Sequence, residues 1–131
     1  MPPRRKPDLL TEVELEFMSH LWSLGQASVR DLLEALPPER NLAYTSAATI
    51  MRILEQKAFV TSEKSGKTFI YRPAVDKDDY QSRSLRDLSQ KLFNGTPQSL
   101  VARLVDDDGL TLEDLAEMRA ILDRKLNNDA D

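Results

Sequence analysis

The chain has 131 residues, of which 40% are hydrophobic and 31% charged, and it contains no cysteine. That length fits about one domain with a short appendage, and the absence of cysteine excludes disulfides, thiolate metal sites and cysteine nucleophiles together. The net charge of −4 speaks at first against a nucleic-acid partner.

The distribution of charge is more informative than its total. Residues 1–72 hold ten Lys/Arg against nine Asp/Glu, whereas residues 73–131 hold eight against thirteen. Within 44–72 the balance is five basic to two acidic. The front half can therefore face a polyanion while the rear half does not, although a mixed solvated surface would give a similar pattern. No apolar run approaches the roughly 18 residues of a membrane span. The basic start MPPRRKPD is not followed by the apolar stretch of a secretory signal. The expectation is a cytoplasmic protein with no membrane partner.

Taken in chain order, the first helix signal is LTEVELEFMSHLW. Thr11 and Glu14 have capping-box spacing, Leu10 can staple onto Leu15, and Leu15, Met18, Leu21 and Trp22 form an apolar stripe up to Gly25. A second helix opens at Ser28 with Asp31 as its box partner. It directs Val29, Leu32, Leu33 and Leu36 inward before Pro37 and Pro38 end it. A third helix is predicted from an N-cap near Thr45 to about Lys57. Its first two turns are small and hydroxylated (Thr45, Ser46, Thr49), and its second half is apolar. Then 59–63 reads as a strand, 64–67 as a turn and 68–72 as a returning strand, with Pro73 ending the hairpin.

Three helices followed by a hairpin describe a winged helix-turn-helix, in which the third helix enters a major groove and the hairpin lies along the backbone. This explains the small residues that open the third helix. Bulky side chains there would hold its backbone away from DNA. Short hydroxyls reach phosphates or base edges, and free N–H groups at a helix start favour phosphate oxygens. Arg52, at i+7 from Thr45, shares that face and is a candidate for a guanine or a phosphate. Lys64 and Lys67 flank the wing tip. Read singly, each residue is equally consistent with ordinary capping or an ordinary turn; the arrangement as a whole points to DNA.

The tail, 76–126, is predicted to be helical, interrupted at 94–97 and at 106–109. Thr111 and Asp114 make a third box. Leu85, Leu88, Leu92, Leu100, Leu104, Leu115, Met118 and Leu122 present more apolar side chain than about 50 residues in three helices can bury alone. A second copy is the economical partner, and folding back on the head is the alternative. The expected fold class is mainly α with a small β-hairpin wing, organised as a DNA-binding domain over 1–73 and a dimerisation domain over 74–131.

Other functions find little support. His20 is the sole histidine, with no second ligand or nucleophile at useful spacing. Asp106, Asp107 and Asp108 could hold a cation, but an acidic turn before a helix start is the simpler reading. There is no Gly-rich phosphate loop, and no catalytic residue, metal or cofactor is expected. A winged-helix adaptor making only protein contacts is the second reading.

LTEVELEFMSHLW, SVRDLLEAL, AYTSAATIMRILEQKAFV, GKTFIYRP and SLVARLVDDDGLTLEDLAEMRAIL, in that order, resemble the penicillinase-repressor (BlaI/MecI/CopY) family over nearly the whole chain. The resemblance implies a homodimeric winged-helix repressor on a palindromic DNA operator. Thr45, Ser46, Thr49 and Arg52 would face the groove, and Lys64, Gly66 and Lys67 would form the wing. It also implies a possible regulatory protease. Three departures stand out. Ile53 replaces an arginine usual before the helix's leucine, and Ala58 replaces a C-cap glycine. Arg103-Leu104 stands where an Asn-Phe bond is cut in antibiotic-responsive members, which leaves the 94–97 linker as the accessible alternative. The cysteine cluster of the copper branch is absent.

Overall fold

A computed structural model describes residues 9–129, and the basic segment 1–8 lies outside them. The elements run α1 (Glu12–Leu24), α2 (Val29–Ala35), α3 (Tyr44–Gln56), β1 (Val60–Ser65), β2 (Thr68–Pro73), α4 (Lys77–Leu92), α5 (Pro97–Asp106) and α6 (Leu112–Asp129). They form two compact units that divide between Ser84 and Leu85, inside α4. The first is a winged helix-turn-helix head and the second a helical tail.

Both predicted boxes in the head are made. Thr11 Oγ1 accepts from the Glu14 amide while the Glu14 carboxylate accepts from the Thr11 amide, and Ser28 and Asp31 repeat the exchange. Each satisfies two amide groups that a helix start leaves without partners. Gly25 ends α1 at φ 85°, a conformation that costs a side-chain-bearing residue.

The inward stripe of α1 is Glu14, Phe17, Met18 and Leu21, at i, i+3, i+4 and i+7. The sequence pattern favours Leu15 instead, but Leu15 is 39% exposed and Phe17 fully buried. Leu15 lies about 100° around the helix from Glu14, so a stripe centred on Phe17 and Met18 turns it outward. Val29 and Leu32 of α2, Ala47, Met51 and Leu54 of α3, and Phe59, Val60 and Tyr71 complete the core.

Burying Glu14 requires compensation, and Lys57 supplies it at 2.7 Å. Burial alone pushes the Glu14 carboxyl up, but the bonds from Lys57 and Thr11 outweigh it and hold the group below its ordinary value. This pair ties the end of α3 to the start of α1.

The hairpin is in register from Val60 opposite Pro73 to Ser65 opposite Thr68. Its loop is thus only Gly66-Lys67. Gly66 has φ 64°, and a glycine at the first central position suits a two-residue loop that follows the strand twist. Lys64, expected in the turn, belongs to β1 and faces Phe69. A further pairing joins the α1–α2 connection to the wing. The Ala27 amide donates to Tyr71 O at 3.0 Å, and the Tyr71 amide donates to Ala27 O at 2.8 Å.

Packing of the head continues past Pro73. Trp22 Nε1 donates to Val75 O at 2.9 Å, and the Leu10 amide donates to the Tyr80 hydroxyl at 2.9 Å. The Tyr80 ring meets Phe59 edge-on, with centroids 5.8 Å apart, and lies tilted against Trp22. The first turns of α4 are therefore part of the head.

Ala58 follows the last turn of α3 at φ 66°. Its amide donates to Glu55 O at 3.0 Å and the Phe59 amide donates to Leu54 O at 2.9 Å, the two bonds of a Schellman stop. The turn is the one a glycine would make, held by an alanine. Left-handed backbone costs a Cβ-bearing residue roughly 1–2 kcal/mol, partly offset by glycine's greater freedom when unfolded. Ala58→Gly is therefore expected to stabilise the protein by about 1 kcal/mol, seen as a higher denaturant midpoint. An unchanged or lower midpoint would show that the site carries no strain.

In the tail, Thr111 and Asp114 make the expected box. None of α4, α5 and α6 contains a fully buried residue. Leu85 is 55% exposed, Leu92 67% and Leu122 57%.

Candidate nucleic-acid interface

The start of α3 is not capped as its sequence suggests. The N-cap is Ala43 and the helix begins at Tyr44, without any side-chain cap bond. Thr45 and Ser46 therefore sit in the first turn rather than before it. An apolar cap cannot take the first amide groups, so these remain available to an oxygen ligand such as a phosphate.

Around the helix, Ala47, Met51 and Leu54 point into the core, leaving Thr45, Ser46, Thr49 and Arg52 on the exposed side. The Thr49 hydroxyl donates to Thr45 O at 2.9 Å, and Arg52 Nη2 donates weakly to Thr49 Oγ1 at 3.4 Å. The three residues form one polar strip whose guanidinium is not committed to a carboxylate.

Ion pairing sorts the basic residues of 44–72 into two groups. Lys57 is taken by Glu14, and Arg72 by Glu63 at 2.7 Å with a second bond to Gln26. Among the described residues, Arg52, Lys64 and Lys67 have no ion-pair partner, and all three are exposed. These are the cations that the sequence pattern assigns to DNA.

Three features of this surface escape the sequence pattern. Tyr44 and Phe69 are each 50% exposed, although apolar alternation along β2 would send Phe69 inward with Tyr71. The Ser62 hydroxyl donates to Glu55 Oε2 at 2.6 Å, joining the wing directly to α3. Nothing in the local sequence signals a bond between a helix carboxylate and a strand hydroxyl at i+7 across a turn. In the tail, Arg103 and Leu104 both lie inside α5, whereas 94–96 belong to the connection between α4 and α5 and Pro97 opens α5.

A family model described as penicillinase repressor matches residues 10–124. The chain belongs to the penicillinase repressor family. Membership makes it a transcriptional repressor rather than an enzyme. The methicillin resistance regulatory protein MecI of Staphylococcus aureus is 26% identical over 116 residues, covering 88% of this chain and 94% of that one. The transcriptional regulator BlaI of Mycobacterium tuberculosis is 30% identical over 118 residues, covering 85% and 86%. Among solved structures, the DNA binding domain of the repressor BlaI superposes with a TM-score of 0.51 at 24% identity. It covers 58% of this repressor and 93% of that chain, a likeness of fold. No helix among the described residues is long and apolar enough to cross a membrane.

Proposed function

We propose that this repressor acts as a homodimer on a palindromic DNA operator. Each protomer inserts α3 into a major groove and rests its wing on the neighbouring backbone. The observation that carries this reading is the selective pairing of charge: among the described residues, Arg52, Lys64 and Lys67 meet no carboxylate while Lys57 and Arg72 are neutralised. Thr45, Ser46 and Thr49 bring the uncapped start of α3 close to phosphates and base edges. The tail supports a two-fold partner, since its Leu85, Leu88, Leu92, Leu104 and Leu122 are exposed. Leu100, Leu115 and Met118 of the same unit are half-buried, and a second copy would cover the set. No cofactor enters this scheme.

The test is binding of the full chain to duplex DNA selected by it from a randomised pool, measured across salt concentrations. Two heads with two or three phosphate contacts each should give a slope of log K against log salt of roughly −4 to −5, at about −0.9 per contact. The selected sequence should be palindromic. A slope near zero with no enriched sequence would instead support the reading of a winged-helix adaptor for proteins.

A further inference from the structure

Glu55 is in an unfavourable position on two counts. It lies in the last turn of α3, where the helix dipole disfavours negative charge and where no basic residue offsets it. It also projects from the helix proposed to face a polyanion. It is not paired with Arg52 three residues earlier; its carboxylate accepts instead from Ser62 on the wing at 2.6 Å. Ser62 is the cross-strand partner of Tyr71, a buried anchor of the wing. Burial, then the Glu55 carboxylate and Tyr44, push the Tyr71 phenol above its ordinary value, with Arg52 opposing. Glu55, Tyr71 and Ser62 thus meet at the junction of helix and wing.

The inner column of the hairpin continues from Ser62 to Lys64 on the same face of β1, since alternate residues point alike. A bond that holds Ser62 therefore sets the direction in which Lys64 leaves the protein. We propose that Glu55 is a positioning residue for DNA binding: through Ser62 it holds the wing so that Lys64 reaches the phosphate backbone while α3 occupies the groove. This rests on the DNA-binding reading above. It gives the carboxylate a role that offsets its repulsion of DNA, and a charge-assisted hydroxyl–carboxylate bond is strong enough to hold a two-stranded wing at a fixed angle.

The experiment uses the full chain and the duplex it selects from a randomised pool. Lys64→Ala is introduced into wild type, Ser62→Ala, Glu55→Ala and Glu55→Gln. In wild type, losing one phosphate contact in each protomer should weaken binding about sixtyfold near 0.1 M salt and flatten the salt slope by about 1.8. Glutamine keeps an acceptor for Ser62 and removes the negative charge, so E55Q should bind DNA more tightly than wild type and still show the full Lys64 penalty. In S62A and E55A the wing is untethered, and Lys64→Ala should cost less than about twofold, because little of the contact remains to lose. Thermal melting of each variant checks that the head stays folded.

An equal Lys64 penalty in all four backgrounds overturns the proposal, since the wing would then hold its place without the bond. A changed selected sequence for E55Q also overturns it, because Glu55 would be reading a base, as carboxylates do at cytosine N4. If the wild-type chain enriches no sequence and binds without salt dependence, it is the DNA-binding reading that fails, and the role of Glu55 fails with it.

Discussion

Truncated after Ser84, the repressor should sediment as a monomer and bind its selected palindrome about 10²- to 10⁴-fold more weakly than the full chain. The head unit ends there, and its core is complete without the tail. The loss is therefore of avidity rather than of folding. One head would retain its phosphate and base contacts but no longer hold a second head at high local concentration. The position of the cut matters. Ending the chain at Pro73 would remove Val75, which accepts from Trp22, and Tyr80, which packs on Phe59 and Trp22. That shorter chain should be destabilised as well as monomeric, confusing the two effects. A chain ending at Ser84 that still sediments as a dimer would move the interface into the head.

Arg52→Ala and the wing substitutions should separate readout from attraction. If the guanidinium takes a guanine edge, its removal should cost roughly 1–3 kcal/mol per half-site on the selected palindrome and little on scrambled DNA. Its readiness for such a contact is visible in the structure, since among the described residues its one side-chain bond is the 3.4 Å contact to Thr49. Lys67→Ala, at the wing tip of both protomers, should weaken all sequences alike and reduce the salt slope by about two. Competition between selected and scrambled duplexes, with and without added salt, measures both. Unchanged discrimination after Arg52→Ala would make it a backbone contact.

Much of the architecture could be read from local signals because those signals act locally. The boxes at Thr11, Ser28 and Thr111 depend on a hydroxyl and a carboxylate three residues apart, and all three are made. The wing turn at Gly66 and the helix stop at Gly25 follow from backbone conformations that glycine tolerates. The same logic misplaced the start of α3. Thr45 has the chemistry of a cap, yet the helix begins at Tyr44 behind an alanine, which leaves the hydroxyl facing outward and the first amides without a side-chain partner.

The amino-acid sequence by itself determined three helices, a hairpin and a helical tail, because turns, caps and apolar periodicity are properties of a few neighbouring residues. It also determined which helix carries short hydroxyls and an arginine on one side. Only the tertiary structure decided which cations remain free, since Lys57 meets Glu14 and Arg72 meets Glu63 and Gln26 through packing of separate elements. Tertiary packing likewise decided that Ala58 takes a left-handed conformation, because Phe59 is fully buried and the Schellman bonds hold the turn. It decided too that Tyr80, beyond the predicted end of the head, closes its core, and that Glu55 bonds across to the wing. These contacts depend on where the folded chain brings distant residues together, and no local pattern encodes that.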